Sequence, residues 1–399
     1  MRRTPLILFV GVLALVAEPS QAAEARAQVQ KTPAIVLPID FRVMTIAGDS
    51  IYPKPELQAK ATPQLEHSLE LAFARIGAFE RRPLPSLSEA ETATLNEHLT
   101  LIKLNVLGRV DYLDNLGDDA APVYGIGKGL EFLAGRTGTE QLIFMFGFKI
   151  FNAGGAYSTV PAEFGGPITF SYLKNTQLYV AVVELRTGRI RWMNFQQDIN
   201  ADVTDPRGAN AYMLPTFGNY PDSALAEPRK PKAPAPATYI KGPNGRFSVT
   251  SPAGWQHLSA LALQLMFTRH GYLLDGITLR RESLSNEFAP GKKIDPDMDP
   301  VKLGELVLAD LGKQGKKQID LIRIEAATLS GRPAFCADFS THEKLSDGDE
   351  WQSRHRLYGV AHKSGLYLVS LSAPAAVYFD EALPDFEAMV PTMKIIERN

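Results

Sequence analysis

Leu142-Ile-Phe-Met-Phe-Gly-Phe-Lys-Ile150 is the stretch on which the fold turns. It is almost wholly apolar, so whatever element it forms must be covered on all sides. A spanning helix needs about 20 apolar residues, and this run is far shorter. It reads as the central strand of a sheet with both faces covered, where strands become near-continuous apolar runs. Downstream, residues 177–185 and 189–196 read as two more strands. Arg186-Thr187-Gly188 joins them in a tight turn, with glycine supplying positive φ. Between the first strand and this hairpin, residues 152–167 are rich in glycine and aromatics and read as a loop.

Upstream, Ala34-Ile-Val-Leu-Pro38 predicts a buried strand, and residues 39–44 extend it past a bend at Pro38. Thr62-Pro63 predicts a helix start, with proline at the first helical position. Leu65, Leu69, Ala72 and Ile76 then follow at helical spacing until Gly77. A second helix starts at Ser88, with Glu89 and Glu91 where the helix dipole favours negative charge. Leu95, Leu99, Ile102 and Val106 form its apolar stripe. A third helix is expected over residues 128–136. Helices first and a strand hairpin later predict an α+β or α/β domain over residues 33–220.

Residues 221–237 change character: Pro228, Pro231, Pro234 and Pro236 alternate with Lys, Arg and Ala. Proline removes backbone donors, so this reads as a semi-rigid linker. A second domain follows over residues 239–396. Strands are expected at 246–250, 276–280, 320–327, 332–340, 354–362 and 366–373. Asp299-Pro300 caps a helix carrying Leu303, Leu306, Val307 and Leu311, and a closing helix spans 383–389. The fold class expected is α+β with two domains. No repeat of fixed period occurs.

At the N-terminus Arg2 and Arg3 precede an apolar run from Leu6 to Ala17, followed by Ser20-Gln21-Ala22. That order is a secretory signal, and we expect residues 1–22 to be removed. The chain of 399 residues has 42 Lys plus Arg and 44 Asp plus Glu, a formal net charge of -2. Nucleic-acid binding therefore has no general electrostatic drive. The lone cysteine, Cys336, can form no intramolecular disulfide and lies far from any lipidation position. The expected product is an exported, periplasmic protein without lipid anchor or transmembrane segment.

Two resemblances add to this reading. The hairpin Tyr179-Val-Ala-Val-Val-Glu-Leu-Arg-Thr-Gly-Arg-Ile-Arg-Trp192, preceded by Gly138-Thr-Glu-Gln-Leu-Ile-Phe144, resembles that of bacterial envelope proteins. These include the curli-secretion pore subunit and the lipoprotein activators of penicillin-binding proteins. The resemblance implies a three-layer α/β domain used for protein contacts, without catalysis. The segments Phe247-Ser-Val-Thr-Ser-Pro-Ala-Gly-Trp255 and Leu329-Ser-Gly-Arg-Pro-Ala-Phe335, with Tyr378, Phe379 and Phe386, are similar to the PsbP-like fold. That fold is shared by a photosystem extrinsic protein, a Ran-binding nuclear-import factor and bacterial periplasmic proteins. It implies an accessory or binding module, since a fold does not fix a function.

Each motif that could carry chemistry has a plainer reading. Gly125-Ile-Gly-Lys-Gly129 lacks the spacing of a phosphate loop and reads as a pliable lead into the third helix. Asp295, Asp297 and Asp299 alternate like a calcium loop, but Pro300 and Leu306 occupy the positions that need Gly and Glu. His355 and His362 stand an odd number apart on one strand and so face opposite ways. His342 sits among acidic residues at an expected hairpin tip, which reads as a solvated charged loop. Ser171-Tyr-Leu-Lys174 leads into a strand, and no Gly-x-Ser-x-Gly elbow occurs. Cys336 alternates with apolar neighbours and reads as a buried structural thiol.

The expected function is that of a non-enzymatic accessory or adaptor protein of the cell envelope, acting by protein–protein binding, with self-association as a further option. No catalytic, cofactor-binding or metal-binding residue is assigned. The 152–167 loop, with Phe151, Tyr157 and Phe164, is the candidate partner-contact region. The alternative is a periplasmic small-ligand-binding or hydrolytic protein with its site between the two domains.

Overall fold

The computed structural model describes residues 31–47, 50–116, 125–151, 157–162, 166–171, 176–198, 201–217, 220, 236–258, 264–271, 273–288, 291, 293–315, 318–344 and 349–396. The expected signal, residues 1–22, and most of the expected linker lie outside the described residues. The first domain comprises β1 (Thr32–Val36), β2 (Asp40–Ala47), β3 (Ser50–Pro53), α1 (Pro55–Ile76), β4 (Phe79–Arg82), α2 (Glu89–Leu116) and α3 (Glu131–Thr137). It continues through β5 (Gln141–Phe151), β6 (Tyr157–Ala162), β7 (Gly166–Ser171), β8 (Thr176–Glu184), β9 (Ile190–Asp198) and α4 (Pro206–Thr216).

The apolar run is β5, and it is central. It pairs in parallel with β1 and β2 along one side and antiparallel with β8 along the other. Its pleat sends Ile143 and Met145 to a face covered by α1 and α4, through Leu65, Leu69, Ala72 and Met213. Leu142, Phe144 and Phe146 go to the opposite face, under Leu101 and Ile102 of α2 and Leu133 of α3. The result is helix, sheet and helix in three layers.

Several boundaries differ from the expectation. The first helix starts at Pro55, and Pro63 lies inside it. Pro63 and Ala59 are both exposed, so the carbonyl that the proline leaves unpaired at Ala59 lies on the solvent side while the apolar face runs on unbroken. The start at Ser88 holds: Glu91 Oε2 accepts from the Ser88 amide and hydroxyl, each at 2.9 Å, and Ser88 Oγ accepts from the Glu91 amide. The third helix begins only at Glu131, because Gly127 and Gly129 take positive φ. The expected loop at 152–167 instead holds β6 and the start of β7, an antiparallel hairpin. Helix α4 has no counterpart in the expectation, although Asp205 caps it by accepting from the Gly208 amide and Pro206 opens it.

The second domain comprises β10 (Thr238–Lys241), β11 (Phe247–Ser251), β12 (Gln256–Leu258), β13 (Gln264–Thr268), β14 (Gly276–Glu282), α5 (Pro300–Gly315), β15 (Ile319–Leu329), β16 (Arg332–Lys344), β17 (Glu350–His362), β18 (Gly365–Pro374), α6 (Tyr378–Met389) and β19 (Lys394–Ile395). Its main sheet runs β12-β13-β14-β18-β17-β16-β15, antiparallel throughout. Helix α5 covers one face, packing Leu303 and Val307 on Phe335, Phe339 and Leu357. Helix α6 covers the other with Tyr378, Phe379, Ala382 and Phe386. It begins at Tyr378 rather than the expected 383, and the apolar pair Tyr378-Phe379 forms its buried first turn.

The molecule is therefore a two-domain α+β protein. No described strand pairs across the two domains. One apolar core nevertheless runs through both: Leu101, Ile102 and Leu130 belong to the same buried cluster as Phe247, Leu274 and Tyr378. Helix α2 lies in the middle, with the first sheet on one side and the second domain on the other.

Candidate functional site

Two clefts open along this junction, each built around a charged side chain that burial forces into partnership. The first surrounds Lys103. Helical periodicity places it beside the stripe of α2, and its side chain is only 1% exposed. Its ammonium donates to Asp40 Oδ2 at the head of β2, at 2.6 Å, and to Asp349 Oδ2 just before β17, at 2.5 Å. Arg42 Nε also donates to Asp40, at 2.8 Å. Burial by itself pushes the Asp40 carboxyl up, but Lys103 and then Arg42 overcome this and hold it below the ordinary aspartate value. The cleft beside this tie encloses about 1080 Å³ and is walled by Leu84, Leu87, Leu99 and Trp351.

The second cleft, of about 550 Å³, has two walls. Gly125, Gly127, Glu184, Thr187, Arg189 and Arg191 come from the first domain, and His270, Tyr378 and Glu381 from the second. The Gly125–Gly129 segment, expected as a simple lead into a helix, is pressed against the β8–β9 turn. The Ile126 amide donates to the Gly188 carbonyl at 2.8 Å. A Cβ on Gly188 would overlap the Gly127 carbonyl, so the approach needs glycine there. The Tyr378 hydroxyl donates to the Gly125 carbonyl and accepts from Asn105 Nδ2 of α2, the latter at 3.0 Å. Burial raises this hydroxyl well above the usual tyrosine range.

Behind Tyr378 lies a fully buried carboxylate. Asp275 Oδ1 accepts from Thr268 Oγ1 at 2.8 Å and from the amides of Arg269 and His270 at 2.9 and 3.0 Å. Its Oδ2 accepts from His270 Nδ1 at 2.7 Å. Burial pushes this carboxyl up, but the His270 contacts and the backbone amides hold it below its ordinary value. The His270 ring meets Tyr378 edge-on, with centroids 5.1 Å apart. The carboxylates of the cleft are already paired: Glu184 with Arg191 at 2.6 Å, and Glu381 with Arg269 at 3.6 Å.

The residues singled out from sequence lie elsewhere. Phe151 ends β5, half-buried against the α1–α4 core, with Lys149 Nζ 5.0 Å from its ring centre. Tyr157 opens β6 opposite Ser171. Phe164 lies outside the described residues. Cys336 is buried, and burial raises its thiol above the ordinary value, as suits a structural cysteine. His355 meets Thr341 Oγ1 at 2.8 Å and stacks on Phe339. His362 contacts Ser364 and so serves the β17–β18 turn. Asp299 caps α5 by accepting from the Lys302 amide. Sequence reasoning misses Lys103, Asp275 and His270; a lysine flanking an apolar stripe is the one signal available to it.

A third feature concerns the sheet edges. Tyr52, Phe195, Tyr239, Leu321 and Ile322 are large exposed apolar residues, and Leu321 and Ile322 are 51% and 58% exposed. They lie on β3, β9, β10 and β15, each of which ends its sheet. The register of β15 against β16 shifts between Leu321 and Arg323, which is where Ile322 sits.

No family model matches the chain. No curated protein matches it either. Among solved structures, it is similar to cyanobacterial PsbP from a Synechocystis species, at 13% identity over 42% of this chain and 96% of that one, with a TM-score of 0.29. It is also similar to the Ran-binding protein Mog1p of Saccharomyces cerevisiae, at 9% identity over 41% of this chain and 97% of that one, TM-score 0.29. A third is LpqN of Mycobacterium tuberculosis, described as involved in cell envelope biogenesis, at 14% identity over 41% of this chain and 90% of that one, TM-score 0.24. Scores this low carry no argument about function, which is read below from the residues.

Proposed function

We propose that the protein is an exported, non-enzymatic accessory or adaptor of the bacterial cell envelope that acts by binding other proteins. The observation that carries this reading is the placement of exposed apolar side chains on the edge strands β3, β9, β10 and β15. An edge strand presents unpaired amides and carbonyls, and an apolar side chain beside them makes a docking strip for an extended partner segment. The aromatic segment with Phe151, Tyr157 and Phe164 is a second contact region. The signal-like residues 1–22, the proline-rich stretch 221–237 as linker and the resemblance of the first domain to envelope proteins belong to the same reading. No helix among the described residues is long and apolar enough to cross a membrane.

The test is crosslinking capture from envelope extracts by the mature chain, by Leu321→Lys with Ile322→Lys, and by a chain with residues 152–167 replaced by Gly/Ser. A defined partner lost in either variant supports the adaptor reading. A capture profile identical for all three removes it, as does turnover of generic ester or peptide substrates at useful rates. The cleft of about 1080 Å³ favours a second reading, a small-ligand site between the domains, because its walls come from both domains and its size lies near the upper end for ligand pockets.

A further inference from the structure

The smaller cleft holds two polar groups that the fold itself leaves unused. Asp275, immobilised by four donors, accepts the His270 Nδ1–H and so fixes the ring's orientation. His270 Nε2 has no hydrogen-bond partner among the described residues. On the opposite wall, Arg189 is half-buried and forms no ion pair with a described residue. Glu184 acts on it only at longer range, because that carboxylate is taken up by Arg191, just as Glu381 is by Arg269. The Arg189 guanidinium therefore keeps its donors for something else. Gly125 and Gly127 line the same space between the two walls.

We propose that this cavity binds a small ligand through an anionic group, a carboxylate or a phosphate. Arg189 is the counter-ion from the first domain, and the anchored His270 is the contact from the second. A guanidinium meets either oxyanion with paired N–H donors. The imidazole, turned by a fixed carboxylate, offers the anion a donor when protonated at both nitrogens and accepts from a ligand hydroxyl when neutral. The groups facing the ring are Asp275 and Arg269 on its own segment, Tyr378 and Glu381 on α6, and Glu184, Arg189 and Arg191 across the cavity. A ligand held this way touches both domains at once and tightens their junction. The site stands apart from the edge-strand contacts, and it binds an anion whether or not a protein partner is engaged.

The test is calorimetric titration of the full mature chain with inorganic phosphate and with succinate, in parallel. Saturable one-to-one binding of either probe is expected, and the probe that binds names the source chemistry. Arg189→Gln, which breaks no ion pair among the described residues, should weaken binding about tenfold or more, with circular dichroism checking its fold. His270→Gln should weaken it as well, with circular dichroism reporting whether that variant folds. Arg186→Gln, an exposed neighbour outside the cavity, should bind like the wild type. No saturation by either probe at about 10 mM overturns the proposal, since a weaker site confers no useful occupancy. Saturable binding that survives Arg189→Gln overturns it too, by locating the anion elsewhere. Arg189→Gln should still capture protein partners, so this site and the adaptor reading fail separately.

Discussion

Among the described residues, Lys103 shares its ammonium between Asp40 and Asp349, 63 and 246 positions away along the chain. Replacing it by methionine takes away the cation that Asp40 and Asp349 share. We expect Lys103→Met to cost about 3 kcal/mol of stability, read from urea unfolding, with part recovered in Lys103→Met/Asp349→Asn. An unchanged midpoint would mean that water already serves these charges. Acid sensitivity follows from the same kind of group. Asp40, Asp275 and Asp338 all titrate below the ordinary aspartate value of 3.8 in the folded protein. As pH falls through that value the unfolded chain takes up protons first, so stability present at neutral pH is lost below it. The urea midpoint should fall little between about pH 7 and 5 and steeply between about pH 5 and 3. A midpoint that holds to pH 3 contradicts this.

At the scale of the element, α1 carries a proline in its interior without losing its apolar face. Pro63→Ala restores the missing donor to the Ala59 carbonyl and should raise stability by about 1–2 kcal/mol, seen as a higher melting temperature. A drop would show that the ring makes contacts the alanine cannot. Capping is the complementary case: Ser88→Ala should cost about 1 kcal/mol in the same assay. These two helices mark how much of the fold was legible in the sequence. Ser88 with Glu91, and the apolar run of β5, are local signals that need no partner to be read. Thr62-Pro63 carries the same letters as a helix start, and only the burial of Ala61 in the same core as Leu65 shows that the helix is already under way. The β6–β7 hairpin was hidden by glycines that read as loop. A site between the two domains was an alternative reading, but the residues that build the two clefts were not legible, because Lys103 meets Asp349 and Asn105 meets Tyr378 across most of the chain. A single sequence records residue types but not which distant ones become neighbours.

On the scale of the whole molecule, the two domains share an apolar cluster and a polar tie at either end of it. A buried junction of this kind resists separation more than the polar interfaces typical of mobile domains. We expect that a protease site introduced within residues 221–235 and cut will leave the two fragments together on size-exclusion chromatography. The cut protein should also unfold in a single transition. Fragments that elute separately would show that the chain connection, rather than the core, holds the halves in place.

That shared core also sets a schedule for biogenesis. Helix α2 leaves the ribosome long before Phe247 and Tyr378, which join the same apolar cluster. At ordinary elongation rates the interval is on the order of tens of seconds in a slow-growing cell. During that wait the apolar residues of the first half that share this cluster lack their C-terminal neighbours and stand open to passing hydrophobic surfaces. A holdase that shields nascent or translocating chains would find its grip there, and would be evicted when the C-terminal half arrives.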